Sequence, residues 1–134
     1  MIGRFQNGDL PERTFRFAEM ILDLVDQYPN NPKGWVLSKQ LLRCGTSIGA
    51  NVHEAAQAFT ESEFAYKCSI ARKEASETLY WLRLSISKRL LFGPEAQAAC
   101  QEADERTRIL SAIVQRMQHR LSPPPAQIAA GIPS

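Results

Sequence analysis

No apolar run in this chain of 134 residues approaches the roughly 20 residues needed to cross a bilayer. The opening stretch, Met1 to Leu10, has neither the apolar segment of a secretory signal nor the pattern of a transit peptide, so a cytoplasmic location is expected. Only three cysteines are present, Cys44, Cys68 and Cys100, and their odd number and irregular spacing fit neither a disulfide framework nor a zinc ribbon. Each lies beside or within an apolar helical stripe, so small, buried, reduced thiols are expected. Charge of one sign is scarce as well: the net of +2 implies a nucleic-acid partner only if the basic residues cluster. Nowhere is there the β-branched alternation of a strand.

Catalytic and metal patterns are equally thin. His53-Glu54-Ala55-Ala56-Gln57 resembles the zinc-hydrolase helix, but Gln57 stands where the second His must face the metal. No Glu-x-x-His spacing exists for a di-iron bundle. Gly45-Thr46-Ser47-Ile48-Gly49 lacks the following Lys-Ser/Thr and the preceding strand of a phosphate loop. The expectation is no metal, no cofactor, no catalytic residue and no small-molecule substrate.

What the chain does carry is helical periodicity. Between Leu10 and Tyr28, Phe15, Phe17, Ala18, Ile21, Leu22, Leu24, Val25 and Tyr28 cover almost half a helical circumference, and Pro29-Asn30-Asn31-Pro32 ends that helix. From about Lys33 to Phe59, the set Leu37, Leu41, Leu42, Cys44, Ile48, Val52, Ala55 and Phe59 predicts a second helix. Gly45 and Gly49 inside it serve close approach or a bend. Thr60-Glu61-Ser62-Glu63 reads as a capping box opening a third helix, Thr60 to Leu91, so close behind the second that the two must be antiparallel neighbours. Gly93-Pro94 stops that helix and starts a fourth, with Ala96, Ala99, Ala103, Leu110, Ile113, Val114, Met117 and Leu121 on one stripe. The predicted class is all-α: an up-down-up-down antiparallel four-helix bundle over residues 1–121, followed by a flexible Pro-rich tail, 122–134.

The third helix has one stripe too many. Phe64, Cys68, Ala71, Ala75, Leu79, Leu82 and Ile86 share one face, while Tyr66, Ile70, Trp81 and Leu84 share another, roughly opposite. The bundle core covers the first, and a second copy of the chain is the expected cover for the other. Glu74 and Glu77 fall on that second side and are expected to form charge pairs at a subunit rim. On the second helix, Gln40, Arg43, Ser47, Asn51 and Glu54 share an arc of about 80° beside the apolar face. They form either a solvated edge or a network to another helix or subunit, where an unpaired buried group costs about 1 to 3 kcal/mol. On the third helix, Arg72, Lys73 and Arg83 share a sector with Ser69, Ser76, Tyr80 and Ser87, and Lys88-Arg89 follow. That sector is either simply hydrated or a weakly sequence-specific phosphate-binding face for RNA or DNA, which Arg106, Arg108, Arg116 and Arg120 could extend.

Three blocks of sequence carry a resemblance: Gln40-Leu41-Leu42-Arg43 with Thr46-Ser47-Ile48-Gly49-Ala50-Asn51-Val52-His53-Glu54-Ala55; Glu63-Phe64; and Ile70 through Leu84, which contains Lys73-Glu74-Ala75-Ser76-Glu77-Thr78-Leu79-Tyr80-Trp81-Leu82. Over roughly residues 10 to 120 the chain resembles the bacterial four-helix bundle proteins encoded in intervening sequences of large-subunit ribosomal RNA genes. Many of them carry Gly after the Glu of the first block, where this chain has Ala55. The resemblance implies a homo-oligomer, by family precedent a ring of five, without established enzymatic activity. The related accessory proteins of diversity-generating retroelements are pentamers that bind nucleic acid and a reverse transcriptase. They are strongly basic, unlike this chain. Assembly is the leading expectation, with an adaptor for a neighbouring-gene enzyme such as a reverse transcriptase as the alternative.

Overall fold

The computed structural model describes residue 5 and residues 9–122. Four helices fill that span: α1 (Asp9–Leu24), α2 (Pro32–Ala56), α3 (Glu61–Ser87) and α4 (Gly93–Leu121), with one 3₁₀ turn, Val25–Gln27, after α1. Among the described residues there is no strand. The proposed tail falls outside the described residues beyond Ser122.

Local chemistry sets the boundaries. Asn31 caps α2 by accepting from the Gly34 amide at 3.0 Å, and Pro32 occupies the first turn, where a missing N–H does no harm. Thr60 caps α3 by accepting from the Glu63 amide at 3.0 Å. The Glu63 carboxylate reaches back one residue further than a simple capping box predicts, to the Phe59 amide at 3.2 Å. Helix α3 ends earlier than Gly93: Leu90 N–H donates to Ser85 C=O and Arg89 N–H to Ile86 C=O, a Schellman end with Arg89 at φ 59° in the left-handed position glycine normally holds. Gly93 instead stands at the start of α4.

Cross-links fix the topology as antiparallel throughout. Gly45 and Gly49 of α2 face Ile21 and Thr14 of α1, Arg43 and Glu54 of α2 pair with Glu77 and Lys67 of α3, Arg120 of α4 pairs with Glu61 of α3, and Gln27 and Arg13 reach Glu95 and Glu102 of α4. The two mid-helix glycines permit close approach: a Cβ on Gly45 would lie 3.0 Å from Ile21 Cγ1, and one on Gly49 would lie 3.1 Å from the Thr14 carbonyl oxygen.

The core contains Phe17, Ile21, Leu41, Ile48, Val52, Phe64, Leu82, Leu110 and the small residues Ala71, Ala75, Ala99 and Ala103. Several predicted core positions lie outside it. Phe15 and Leu22 are 60% and 54% exposed, Phe59 is 94% exposed beyond the end of α2, and Leu121 is exposed at the end of α4. In their place the interior takes Thr14, Thr78, Ser85 and Arg106. The hydroxyls are internally satisfied: Thr14 donates to Leu10 C=O at 2.9 Å, Thr78 donates to Glu74 C=O at 2.7 Å, and Ser85 shares a 2.6 Å hydrogen bond with Tyr28. A threonine whose O–H returns to the preceding turn packs as an apolar residue, so a hydropathy stripe passes over it.

Candidate functional site

The α2 polar stripe and the second α3 stripe turn out to line the same groove. Helix α2 meets α3 through Arg43 and Glu54, and opposite them stand Glu77 and Lys67. That register places Asn51 near the level of Ile70, and Gln40 near that of Trp81.

At the centre, Arg43 reaches Glu74 at 3.3 Å and also pairs with Glu77, while it donates from Nη2 to Gln40 Oε1 at 3.1 Å. Partial burial pulls the Arg43 pKa down, and the two carboxylates more than offset it, raising it above its ordinary value. Glu77 accepts from Trp81 Nε1 at 2.9 Å, which fixes the indole along the helix. Glu74 and Glu77, expected at a subunit rim, thus find their cation inside the same chain. Further along, Asn51 Nδ2 donates to Ser47 Oγ at 3.0 Å and Ser47 C=O at 2.9 Å. Glu54 pairs with Lys67 at 2.6 Å, which lowers the carboxyl pKa and raises that of the ammonium. The stripe is therefore three local links in sequence along the groove: Gln40–Arg43–Glu74/Glu77, Ser47–Asn51 and Glu54–Lys67.

The second α3 stripe shares the side of the helix that holds Glu74 and Glu77. Tyr66 is 63% exposed, Ile70 and Leu84 are half-buried, and Trp81 is half-buried with its inner face against the core. Tyr80, also largely exposed, meets Trp81 edge-on with ring centroids 5.1 Å apart. None of the four proposed interface residues is enclosed by the protomer.

On the α3 surface turned away from α2, the arc holding Ser69, Arg72, Lys73, Ser76, Tyr80, Arg83 and Ser87 contains no acid. Among the described residues, Arg72, Lys73, Arg83, Lys88 and Arg89 make no ion pair. The proposed extension onto α4 fragments. Arg106 is 1% exposed, Arg108 is held by Asp104 at 2.9 Å, and Arg120 pairs with Glu61, leaving Arg116. Arg106 is the residue that periodicity misplaces: its pairing carboxylates, Glu102 at i−4 and Glu105 at i−1, are visible in the sequence, but its burial is not.

The thiols and histidines take no part in either face. Burial raises the pKa of Cys44, and pushes that of Cys68 to about 12. Exposed His53 lies 3.1 Å from the Gln57 amide nitrogen. Among the described residues no three His, Cys, Asp or Glu side chains converge as metal ligands, and no helix is long and apolar enough to cross a membrane.

Comparison with known proteins agrees with the architecture. No curated protein matches the chain. A crystal structure of a protein of unknown function from the S23 ribosomal protein family of Bacteroides thetaiotaomicron superimposes with a TM-score of 0.71 at 38% identity, covering 78% of this chain and 97% of the other. The family described as 23S rRNA-intervening sequence protein matches residues 7–112. With that match spanning most of the bundle, the chain belongs to the 23S rRNA-intervening sequence protein family.

Proposed function

We propose that this protein is a non-enzymatic, cytoplasmic homo-oligomer, a pentamer by analogy with the family, that assembles through the groove between α2 and α3. The observation that carries this reading is the largely exposed Tyr66 with the half-buried Ile70, Trp81 and Leu84 on the side of α3 whose ion pairs are already satisfied within the protomer. Aromatic side chains over matched charges offer a partner apolar area without asking it to desolvate a lone charge. The charged groups of the groove are occupied with each other. Trp81→Ala is expected to lower the mass in light scattering coupled to size exclusion while most helicity persists. Because Trp81 also touches the core, Tyr66→Glu serves as the companion variant, since a side chain so exposed has little role in folding. An unchanged mass in both variants contradicts the reading.

A second reading concerns nucleic acid, favoured by the five α3 cations that lack carboxylate partners among the described residues. Ring symmetry would gather these cations into a continuous basic band. Binding to RNA or DNA would then be phosphate-driven, with affinity falling linearly with salt on logarithmic axes. A flat affinity between low and moderate salt removes it.

A further inference from the structure

Two opposite corners of the bundle carry unbalanced charge of opposite sign. Helices α1 and α3 each pack side by side with α2 and α4, which sets them at diagonal corners with their outer surfaces turned in opposite directions. The outer arc of α1, about 100° wide, holds Glu12, Phe15, Glu19, Leu22 and Asp23 and no Lys or Arg, and Asp26 follows in the 3₁₀ turn. Arg16 engages Glu12 at 3.1 Å. Glu19, Asp23 and Asp26 are exposed and make no ion pair among the described residues. Phe15 and Leu22, one on either side of Glu19, are the large apolar residues that α1 leaves in water.

The outer arc of α3 is the converse. It has no carboxylate, Lys73 and Arg83 stand exposed in it, and Tyr66, Lys73 and Tyr80 follow one another at seven-residue intervals along its edge, both tyrosines largely exposed. Each surface is thus an apolar stripe with charge of one sign along it. The flanking segments of the chain do not complement α1, because residues 123–134 contain no Lys or Arg and residues 1–8 contain only Arg4. Pairing of like surfaces is disfavoured too: α1 against α1 would oppose carboxylates, and α3 against α3 would oppose cations.

We infer that the α1 outer face of one copy docks on the α3 outer face of the next, head to tail, with Phe15 and Leu22 against Tyr66 and Tyr80, and with Glu19, Asp23 and Asp26 facing Lys73 and Arg83. The inference rests on the self-association proposed above and names the surface that receives α3. A contact between unlike surfaces is heterologous, so every copy uses both faces and assembly continues until it closes. The apolar residues anchor the contact, and the opposed charges select its partner and orientation.

The test uses the full chain, nuclease-treated, in light scattering coupled to size exclusion. Two variants each remove one face: Phe15→Ser with Leu22→Ser on α1, and Tyr66→Glu with Tyr80→Glu on α3, all at exposed positions, so circular dichroism should match the parent. Each alone is expected at the monomer mass at concentrations where the parent assembles. Their equimolar mixture is expected at twice that mass and no more, because one intact α1 face meets one intact α3 face and the two remaining faces are blocked. Glu19→Lys with Asp23→Lys, which leaves the apolar residues in place, should dissociate the parent as well. Parent mass retained by either α1 variant overturns the inference, as does a mixture that stays monomeric or grows beyond two copies. A parent of only two copies also overturns it, since faces turned in opposite directions cannot both be used in a pair. Those results leave the self-association reading standing wherever Tyr66→Glu still dissociates the chain; a parent that is itself monomeric defeats both. Dissociation of the parent by nuclease alone would assign the α3 cations to nucleic acid and overturn the inference.

Discussion

Where α2 meets α3, the charges stand at the rim and the interior is apolar: Arg43, Glu74, Glu77, Glu54 and Lys67 retain contact with water while Ile48, Val52, Ala71 and Ala75 pack beneath them. Where α1 meets α4, a guanidinium lies inside. Arg106 is buried, braced by Glu102 and Glu105, and Arg13 of α1 joins the same cluster through Glu102 at 3.0 Å. The same kind of ion pair therefore does different things on the two sides. At the α2–α3 rim it tunes register and surface chemistry; at the α1–α4 side it fills interior volume, and the same carboxylate ties α1 to α4 through Arg13.

The sharpest way to break this comparison is at Arg106. Truncation to Ala leaves a cavity where one of the largest fully buried side chains packs, so a loss of about 2–5 kcal/mol is expected in urea unfolding. Arg106→Met restores the volume without the charge, and Glu102 keeps its contact with Arg13. Glu102 stays paired and Glu105 is half-exposed, so no carboxylate is left buried and alone, and this variant should lie within about 1 kcal/mol of the parent. Equal, large losses in both variants would mean that the charge itself holds α1 in place.

The attachment of α1 to α2 gives the next largest effect. Alanine raises helix propensity by about 1 kcal/mol over glycine at either Gly45 or Gly49. At Gly45 the new methyl meets the Ile21 side chain, which can shift by a few tenths of an ångström, and the two effects should nearly cancel. At Gly49 it meets the Thr14 backbone carbonyl, which cannot turn away, and overpacking of about 1–3 kcal/mol should leave Gly49→Ala clearly the less stable. If the two alanines prove equivalent, the close approach of α1 to α2 is not what secures it.

The contrast also explains what the sequence could disclose. Helix count, order, the Thr60 cap and the antiparallel pairing of α2 with α3 follow from the 3.6-residue period, from Thr60-Glu61-Ser62-Glu63, and from a connection too short to do anything else; the Asn31 cap emerges only in the structure. The convergence of the α2 polar stripe with Tyr66, Ile70, Trp81 and Leu84 was only half legible: each set has a shared face, but the register that brings the faces together is a property of two helices. Phe15 and Leu22 fall on the apolar side of α1 by periodicity, yet that side covers nearly half the circumference, more than one short helix can bury between two neighbours. The burial of Arg106 is hidden for a related reason. Periodicity assigns a side of a helix to core or water, and the length of the helix across from it decides which residues on that side are covered.

The smallest effect is expected at the α2–α3 rim. Arg43→Ala removes a half-exposed guanidinium, and pairs of that exposure contribute about 0–1 kcal/mol, so unfolding should shift by no more than that. Glu54 and Lys67 provide the matching pH test. Hydrogen bonding to Lys67 holds the Glu54 carboxyl below its ordinary pKa, so the folded state binds fewer protons there than the unfolded chain does. The contribution is fully present above the ordinary carboxylate range and disappears as pH falls through the lowered value. A chain with Glu54→Gln should therefore lose a small increment of stability at neutral pH and none at strongly acid pH, where the parent has already protonated. If the gap between the two persists in acid, Glu54 acts through packing rather than charge, and the α2–α3 rim has more in common with the Arg106 side than its exposure implies.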